Sequence, residues 1–218
     1  MNDTKFFKQV EKKLKEKKIV LVSGASSSGK SYMSNQMCKY FLKQNKKAIV
    51  FSADNYYKGL SRIVVQKAIT NNSYSNYVKQ NFKEICKIVK TATKNSPFTE
   101  KMCSNNISYI KTELNKLFDT QTTERLVNDI INEYKVINFD EPFAVDLNQL
   151  AKHINILAEG GEIIVPQYSF KTSEVEYYET NKVNAKNYDV IIIEGIYVLR
   201  DEVLDKIDKN NTVKATIE

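Results

Sequence analysis

The sequence predicts an α/β fold in which a parallel sheet is flanked by helices and carries an all-helical insertion. Two apolar runs of strand length, Ile19–Val22 and Val190–Ile193, are separated by segments with helical periodicity. Residues 61–137 contain no strand-like run. Strand and helix patterns that alternate along a chain imply a parallel sheet with right-handed crossovers. The helical stretch between them is most simply an insertion with a small core of its own.

The first part of the chain predicts a βαβ unit. Apolar residues at helical spacing indicate an amphipathic helix over residues 3–17, before the first strand. A second helix follows that strand and runs to about Lys43. The segment "KKAIVFSAD" then predicts a second strand that ends at a carboxylate, Asp54.

The insertion and the part of the chain after it are distinguished by their periodicity. Three stretches with a period near 3.6 predict helices in the insertion: Tyr74–Val89, Ile107–Phe118 and Leu126–Tyr134. After it, Asp146 predicts the start of a helix that ends at Gly160-Gly161. The nearly all-apolar "YDVIIIEG" and then "TVKATIE" predict two further strands. The only histidine, His153, lies within the helix among polar neighbours, and we predict a structural role for it.

A glycine-rich motif directly follows the first predicted strand and directly precedes a helical segment. Written as G-x-x-x-x-G-K-[ST], it has the strand–loop–helix context that a phosphate-binding loop needs. Its backbone N–H groups can point at phosphate oxygens near the positive end of the helix. The residues that we expect to bind ATP are Gly24, Ala25, Ser26, Ser27, Ser28, Gly29, Lys30, Ser31 and Tyr32. The fold class is therefore that of a P-loop NTPase, with ATP and Mg²⁺ as cofactors.

Two carboxylates lie at the ends of predicted parallel strands, where ligands of such sheets bind. Asp54 follows the second strand and Glu194 follows "DVIII". If the three strands are neighbours, both acids converge on Lys30 and Ser31. One acid can then hold Mg²⁺ while the other accepts a proton from an attacking hydroxyl. We predict Asp54 and Lys30 as catalytic residues and Ser31, Glu194 and Asp54 as the metal site.

Composition excludes several classes of protein. The 218 residues are 42% hydrophobic and 27% charged, which argues against a disordered or fibrous chain. The charged N-terminus has no apolar core of a signal peptide, and the apolar runs are too short for a membrane span. Three widely spaced cysteines without a C-x-x-C pair favour thiols in a reducing compartment. We expect a soluble cytoplasmic protein with no membrane partner.

The net charge of +7 lies outside the motif-bearing segments. Residues 1–18 carry seven Lys against three acids, and residues 61–137 carry twelve basic against seven acidic residues. Only three residues of the chain are Arg, the side chain best suited to bidentate base and phosphate contacts. A Lys-rich solvated surface is therefore expected rather than a nucleic-acid site.

Five motifs in a fixed order resemble the uridine kinase and nucleoside kinase family, close to the phosphoribulokinases. They are "GASSSGKS", "SADNYY", "NFDEPFAVDLNQLAKHINIL", "GGEIIVPQYSFKT" and "YDVIIIEGIYVL", within residues 19–60 and 138–217. The resemblance implies that the chain is one P-loop kinase domain, residues 1–218, with its core at 19–60 and 138–218 and a helical insertion at 61–137. It also implies a sheet order of second strand, "DVIII" strand, P-loop strand and "TVKATI" strand.

The resemblance assigns roles to individual residues. Asp54 would be the general base for a sugar hydroxyl, Tyr57 would line the acceptor pocket, and Glu194 would assist Mg²⁺. Phe139 would help to cover the nucleoside, while the Asp140 carboxylate would accept hydrogen bonds from ribose hydroxyls.

Two further aromatic residues, Tyr168 and Phe170, match residues that pack around the base in this family. Aromatic faces suit a base and a carboxylate suits a diol. Without the family, core packing would be the more natural interpretation of Tyr168 and Phe170.

Three departures from the family pattern are present. Ser173 and Val175 stand where pyrimidine-specific members have His and Arg. The segment between Tyr57 and Asn138 is much longer than in the family. We also expect the chain to lack the family's C-terminal lid and last strand, because the sequence stops shortly after "TVKATIE".

The sequence thus predicts an ATP-dependent phosphotransferase that acts on a hydroxyl of a nucleoside, a uridine kinase-like enzyme. A kinase for another small sugar or sugar phosphate stays open, as does a non-catalytic ATP-binding module whose basic insertion binds a partner. A small-molecule nucleoside or sugar is the expected partner, no nucleic acid is expected, and a homo-oligomer stays open.

Overall fold

A computed structural model describes residues 3–15, 17–93 and 104–217, and the chain divides into two compact units. The first, here called the sheet unit, comprises Met1–Tyr57, Val145–Gln167 and Tyr177–Glu218. The second, the helical unit, comprises Lys58–Ala144 and Tyr168–Glu176. Each unit has its own buried apolar cluster or clusters.

The sheet unit is built on four parallel strands in the order β2-β7-β1-β8. Their bounds are β1 Ile19–Gly24, β2 Ala48–Ser52, β7 Val190–Glu194 and β8 Thr212–Ile217. This is the predicted order, so the expected α/β fold with a parallel sheet is confirmed. The order places the P-loop strand β1 between β7 and β8, and it places β7 next to β2.

The sheet is buried on both faces, which explains why its strands are continuous apolar runs. Side chains alternate along β1, so Ile19 and Leu21 belong to one apolar cluster while Val20 and Val22 belong to the other. The cluster of Val20 and Val22 also contains residues of α1 and α2, and the opposite cluster contains residues of α8 and α9. These helices span Asp3–Leu14, Lys30–Leu42, Leu147–Ala158 and Asp201–Leu204 respectively.

Helix α8 begins and ends where the sequence predicts. The Asp146 side chain accepts a hydrogen bond of 3.1 Å from the N–H of Gln149, and Gly160 has a left-handed φ of 81°. On this helix, His153 Nδ1 shares a hydrogen bond of 2.8 Å with the hydroxyl of the buried Tyr56. Burial lowers the pKa of His153, as expected for an imidazole that is kept neutral. After α8, two short strands, β3 Glu162–Ile164 and β6 Lys182–Asn184, pair in an antiparallel ribbon that no sequence pattern predicted.

The described residues of the helical unit between 58 and 144 form five α-helices, and none of them belongs to a strand. They are α3 Leu60–Asn71, α4 Asn76–Gln80, α5 Phe82–Thr93, α6 Ser104–Leu114 and α7 Thr120–Lys135. The single helix predicted over 74–89 is two helices in the structure, because the chain turns at Asn81. Helix α3 was missed, since Ile63, Val64 and Val65 form a contiguous apolar run without a clear polar face.

A short β-hairpin from a later part of the chain completes the helical unit. Its strands are β4 Gln167–Ser169 and β5 Glu174–Glu176, and from Tyr168 onward they belong to this unit. None of the helices in the described part of the chain is long and apolar enough to cross a bilayer.

Truncation of Leu150 to Ala should lower the free energy of unfolding by about 2–5 kcal/mol. Leu150 is fully buried on α8 in the cluster that covers one face of the sheet, so the change leaves a cavity. Urea denaturation followed by circular dichroism measures the effect. Leu42→Ala is the matched control because Leu42 is half exposed, and it should change the free energy by no more than about 0.5 kcal/mol. Equal effects of the two substitutions would contradict this description of the core.

Candidate active site

The loop after β1 has the backbone shape of a phosphate cradle. Within the loop, the N–H of Ser28 donates a hydrogen bond of 3.2 Å to the carbonyl of Ala25, and Ser27 has a left-handed φ of 59°. Gly29 has a φ of 85° and is the N-cap residue of α2. Glycine is the residue that adopts this conformation at no steric cost. The loop therefore leads directly into a helix N-terminus, where N–H groups remain free for an anion.

Gly24, the last residue of β1, is required for a different reason. A Cβ at this position would lie 2.5 Å from the carbonyl oxygen of Ile217 and 2.6 Å from Ser28 Oγ. Strand β8 and the loop thus approach the backbone of β1 too closely for any side chain. The two motif glycines consequently serve two functions, close packing at Gly24 and a positive φ at Gly29.

Two polar side chains of the loop are poised for a ligand. Lys30 is 8% exposed, and its Nζ donates a hydrogen bond of 2.7 Å to the carbonyl of Ala25. Ser28 Oγ is buried and has no hydrogen-bond partner within the described ranges. A buried hydroxyl without a partner is unusual in proteins, and this one could donate to a phosphate oxygen held by the loop. The loop thus fits a triphosphate, whereas the predicted Tyr32 is 63% exposed on the first turn of α2 and shows no such feature.

The side chains of Ser31 and Glu194 meet at the end of the loop. Ser31 Oγ donates a hydrogen bond of 3.1 Å to Glu194 Oε1. Glu194 is the last residue of β7 and is only 5% exposed. Parallel register places it beside Val22 of β1 and Ser52 of β2. The buried carboxylate therefore reaches the first turn of α2 from the neighbouring strand.

This pair suits Mg²⁺ better than it suits a cation held by protein alone. No group of three or more His, Cys, Asp or Glu side chains within the described residues could form a metal cage. Mg²⁺ commonly takes one or two protein oxygens and fills its octahedron with phosphate oxygens and water. Ser31 and Glu194 would hold such an ion beside the phosphates of a bound nucleotide.

Asp54 lies in a short 3₁₀ turn directly after β2. The hydroxyl of Ser52 accepts a hydrogen bond of 3.1 Å from the N–H of Asp54, which fixes the start of this turn. Asp54 is exposed, but the surrounding protein removes part of its hydration; this desolvation and then the negative charge of Glu194 raise its pKa, while the positive charge of Lys30 opposes the rise. The structure thus brings Lys30, Asp54 and Glu194 to the same edge of the sheet, as the strand ends predicted. Their roles in catalysis stay predictions.

Sequence reasoning missed residues that shape this edge. A Cβ at Gly195 would lie 2.7 Å from the Cβ of Ala53, so only glycine lets the chain after β7 pass so close to the chain after β2. Ser23 Oγ donates a hydrogen bond of 3.2 Å to the carbonyl of Ile196 and joins the ends of β1 and β7. The glycine directly after Glu194 was the available signal for this close approach.

The predicted acceptor residues fall into both units. Tyr57 belongs to the sheet unit, where its N–H donates a hydrogen bond of 3.2 Å to the carbonyl of Asp54. It forms an isolated antiparallel bridge with Val145 and is half-buried. The backbone of Tyr57 is thus tied to that of the predicted base.

Four other predicted acceptor residues belong to the helical unit. The rings of Phe139 and Tyr168 lie 6.5 Å apart, and those of Tyr168 and Phe170 lie 5.1 Å apart in an edge-to-face arrangement. Phe170 is 79% exposed, which is unusual for a side chain of this size. Asp140 is exposed next to Phe139, and its N–H donates to Asn138 Oδ1. The three rings form one partly exposed aromatic cluster, here called the aromatic platform.

Comparison with protein families finds a match over residues 89–213 to the model described as the Phosphoribulokinase / Uridine kinase family. The chain belongs to this family. The matched residues begin after the phosphate-binding loop and cover more than half of the chain. Membership therefore rests on residues that include β7, the aromatic platform and helix α8, independently of the loop motif.

Curated relatives match over shorter segments. A uridine kinase of Ureaplasma urealyticum is 32% identical over 76 residues, which are 35% of this chain and 35% of that protein. A protein of Arabidopsis thaliana named inorganic pyrophosphatase TTM2 is 38% identical over 71 residues, which are 33% of this chain and 10% of that protein. The chain thus spans about a third or less of the length of these relatives.

A solved structure supports the fold of the family. A putative fructose transport system kinase from Silicibacter sp. TM1040 superposes with a TM-score of 0.52 at 14% identity, covering 98% of this chain and 74% of that one. At this level of identity the likeness shows the fold alone.

Replacement of Glu194 by Gln should lower the pKa of Asp54. A neighbouring negative charge favours the protonated form of an acid, so its removal favours the carboxylate. Titration of the Asp54 carboxyl carbon by NMR, assigned with Asp54→Asn, measures the shift. The control Asp205→Asn changes an exposed acid near the end of α9 and should leave the titration unchanged. An unchanged Asp54 titration in Glu194→Gln would show that the two acids do not share a site.

Proposed function

We propose that this protein is an ATP- and Mg²⁺-dependent kinase that transfers the γ-phosphoryl group to a hydroxyl of a nucleoside. The observation that carries the proposal is the edge of the sheet where Asp54 and Glu194 meet Lys30. One acid there contacts the loop hydroxyl that suits a metal, and the other is free to accept a proton. This division of roles between two carboxylates is what phosphoryl transfer to an alcohol requires.

The loop would hold the triphosphate of ATP. Its N–H groups at the start of α2, the Lys30 ammonium and the Ser28 hydroxyl are all donors, and a phosphate chain offers only acceptors. Lys30 already lies over the loop through its bond to Ala25, so little side-chain freedom would be lost on binding.

Ser31 and Glu194 would hold the magnesium ion. When bound, Mg²⁺ neutralises charge on the phosphate oxygens during transfer. The Ser31 hydroxyl donates to Glu194, and this contact keeps the carboxylate directed at the loop. Because Glu194 ends a fully buried strand, its backbone is held rigidly at that place.

Asp54 would accept the proton of the attacking hydroxyl. Its side chain lies at the surface, so an acceptor can reach it. A raised pKa makes the carboxylate a somewhat better base than an ordinary aspartate. The Asp54 carboxylate must be ionised to act, so turnover should decline as the pH falls through its raised pKa.

A nucleoside is favoured as the acceptor by the aromatic platform. The exposed ring of Phe170 and the edge-to-face ring of Tyr168 offer an apolar surface to a planar base. Asp140, adjacent to Phe139, offers carboxylate oxygens to the hydroxyls of a ribose. The uridine kinase among the relatives is consistent with this class of acceptor.

A small sugar or sugar phosphate is the second candidate acceptor, and one cluster of residues favours it. In the helical unit, the Nζ atoms of Lys58 and Lys67 lie 4.3 and 5.5 Å from the ring centroid of Phe143. Two ammonium groups that lie over one ring could together bind the phosphate of a sugar phosphate, with Glu141 Oε2 3.3 Å from Lys67 Nζ as the acid of this cluster. Ser173 and Val175, in place of His and Arg, also remove the pyrimidine signature. The structural neighbour named as a fructose transport system kinase is consistent with this alternative.

Substitution of Lys30 by Ala should weaken the binding of ATP by at least about tenfold, since it removes a charge-assisted hydrogen bond to phosphate. Isothermal titration calorimetry with a non-hydrolysable ATP analogue and Mg²⁺ measures the affinity. Lys39→Ala is a matched control on the same helix, at its far end, and should bind normally. Equal affinities of the wild type and Lys30→Ala for the ATP analogue would show that Lys30 does not contribute to nucleotide binding.

The proposed activity is tested with a substrate panel and labelled ATP. Uridine, cytidine, adenosine, fructose and ribose 5-phosphate are offered to the wild type and to Asp54→Asn. We expect turnover of a nucleoside by the wild type and a decrease of about 10²- to 10⁴-fold in Asp54→Asn, the usual effect of a positioned base. ATP affinity should stay nearly unchanged, because Asn keeps the shape of the side chain.

Three outcomes would change the proposal. Turnover of only the sugar or the sugar phosphate would select the second candidate. Binding of ATP without transfer to any acceptor, in this chain and in any longer form of the protein, would favour a nucleotide-binding module that uses its basic helical insertion to bind a partner. Unchanged turnover in Asp54→Asn would exclude Asp54 as the base.

A further inference from the structure

The β4–β5 hairpin, which carries the aromatic platform residues Tyr168 and Phe170, is fixed to two helices of the helical unit. The N–H of Leu60 donates a hydrogen bond of 2.7 Å to the carbonyl of Ser173, and Lys90 Nζ donates one of 3.0 Å to the carbonyl of Val175. Leu60 begins α3, and Lys90 lies in the last turn of α5. Both anchors hold the second strand of the hairpin, directly after the turn.

Between these two anchors lies a buried carboxylate, Glu174. It is 4% exposed, and its Oε1 accepts a hydrogen bond of 2.8 Å from the N–H of Ser61. Acids are almost never buried to this degree without a partner, since removing the charge from water is costly. Burial raises the pKa of Glu174, and hydrogen bonds from the Ser61 N–H and hydroxyl together with the charge of Lys90 lower it. The acid thus caps the N-terminus of α3 from a position 113 residues later in the chain.

The chain leaves room for this carboxylate at Gly59. A Cβ at that position would overlap Glu174 Oε2 and would approach Glu174 Cδ to 3.0 Å. Gly59 has an ordinary negative φ, so its backbone conformation does not require glycine. The position requires glycine because a side chain would occupy the space of Glu174. An N-cap for α3 alone would need only a local Ser, Thr or Asp. The distant acid and the glycine beside it therefore serve to join the hairpin to the helix.

The anchored strand is connected directly to the platform. Ser173 precedes Glu174, has a left-handed φ of 52° and forms a side-chain hydrogen bond with Tyr168. Tyr168 in turn packs against Phe139 and Phe170. A shift of Glu174 would move Ser173 and with it the ring at the centre of the platform.

We propose that Glu174 is a positioning residue for the acceptor, because it locks the hairpin onto α3 so that the aromatic platform keeps one fixed orientation. This proposal rests on the function proposed above. It assigns a role to the residue between the two positions at which this chain departs from its pyrimidine-specific relatives. A rigid ring surface loses less freedom on binding than a mobile one, so the effect of Glu174 is on acceptor affinity.

The test compares Glu174→Ala, Glu174→Gln and the control Glu84→Ala in steady-state kinetics with whichever of uridine, cytidine and adenosine the wild type phosphorylates fastest. Glu84 lies on α5 in an exposed ion pair with Lys87, so its loss should leave all constants within about twofold. We expect Glu174→Ala to raise the KM for that nucleoside by about tenfold or more, with kcat and the affinity for ATP nearly unchanged. Glu174→Gln should recover most of the affinity, because its amide oxygen can still accept from the Ser61 N–H.

A second variant and a second measurement keep the proposal independent of protein stability. Gly59→Ala leaves Glu174 in place but displaces its carboxylate, and it should raise the KM in the same way. Hydrogen exchange should show faster exchange of the amides of residues 168–176 in Glu174→Ala than in the wild type, with no change in the strands of the sheet unit.

The outcomes separate this proposal from the function on which it rests. If the wild type phosphorylates a nucleoside and Glu174→Ala has the same constants, the role of Glu174 is overturned and the proposed function is not. The same conclusion follows if Glu174→Ala lowers kcat and the affinity for ATP while it raises the KM, or if its hairpin exchanges at the normal rate. A wild type that neither phosphorylates nor binds uridine, cytidine or adenosine overturns the nucleoside function and with it the acceptor role, whereas the exchange data still decide whether Glu174 anchors the hairpin.

Discussion

The parallel register of β7 against β1 and β2 is the constraint on which the candidate site depends. It places Glu194, the last residue of β7, level with Ser52, the last residue of β2, and with Val22, two residues before the end of β1. The loop after β1 and the turn after β2 then start from adjacent points, and Gly195 lets the chain pass between them. A shift of β7 by one residue would turn Glu194 to the opposite face of the sheet, since strand side chains alternate. The buried residues Ile191, Ile192 and Ile193 hold the register. Ile191 and Ile193 pack in the apolar cluster on one face of the sheet and Ile192 packs in the cluster on the other face, and a slip by one residue would reverse this arrangement.

The surroundings of the two acids differ although both lie at the same edge of the sheet. Glu194 is buried and has a hydroxyl donor in Ser31, whereas Asp54 lies at the surface. The negative charge of Glu194 raises the pKa of Asp54, and the positive charge of Lys30 offsets part of this effect. The proposed roles follow these differences: the acid with the hydroxyl donor is assigned to the metal, and the accessible acid is assigned to the proton. In the proposed mechanism two carboxylates thus differ in chemistry because their burial and their partners differ.

The sequence allowed the sheet unit to be predicted well because its signals are local or periodic. Apolar runs marked β1 and β7, glycines marked the loop, and Asp146 with Gly160 marked the ends of α8. The helical unit was predicted less completely, since contiguous apolar residues in α3 gave no clear period and a turn at Asn81 divided an apparently continuous helix. The hairpin that belongs to this unit, and the hydrogen bond from Ser61 to Glu174, join parts of the chain that are far apart. No local pattern could have indicated such a contact.

The two units use different means to hold their predicted functional side chains in place. In the sheet unit, Glu194 and the loop are fixed by strand pairing, so a substitution elsewhere on the surface has little effect on them. In the helical unit, the platform residue Tyr168 lies on a strand of only three residues, and the contacts that hold this hairpin include single hydrogen bonds from Leu60, Ser61 and Lys90 and the packing of Tyr168 against Phe139. One substitution can change the orientation of a side chain whose strand is held by a few separate contacts. It has less effect on a side chain whose strand is paired within a larger sheet. If the proposed roles hold, the elements predicted to bind the acceptor are therefore the part of this fold in which the choice of substrate can change without disturbance of the proposed phosphate-binding edge.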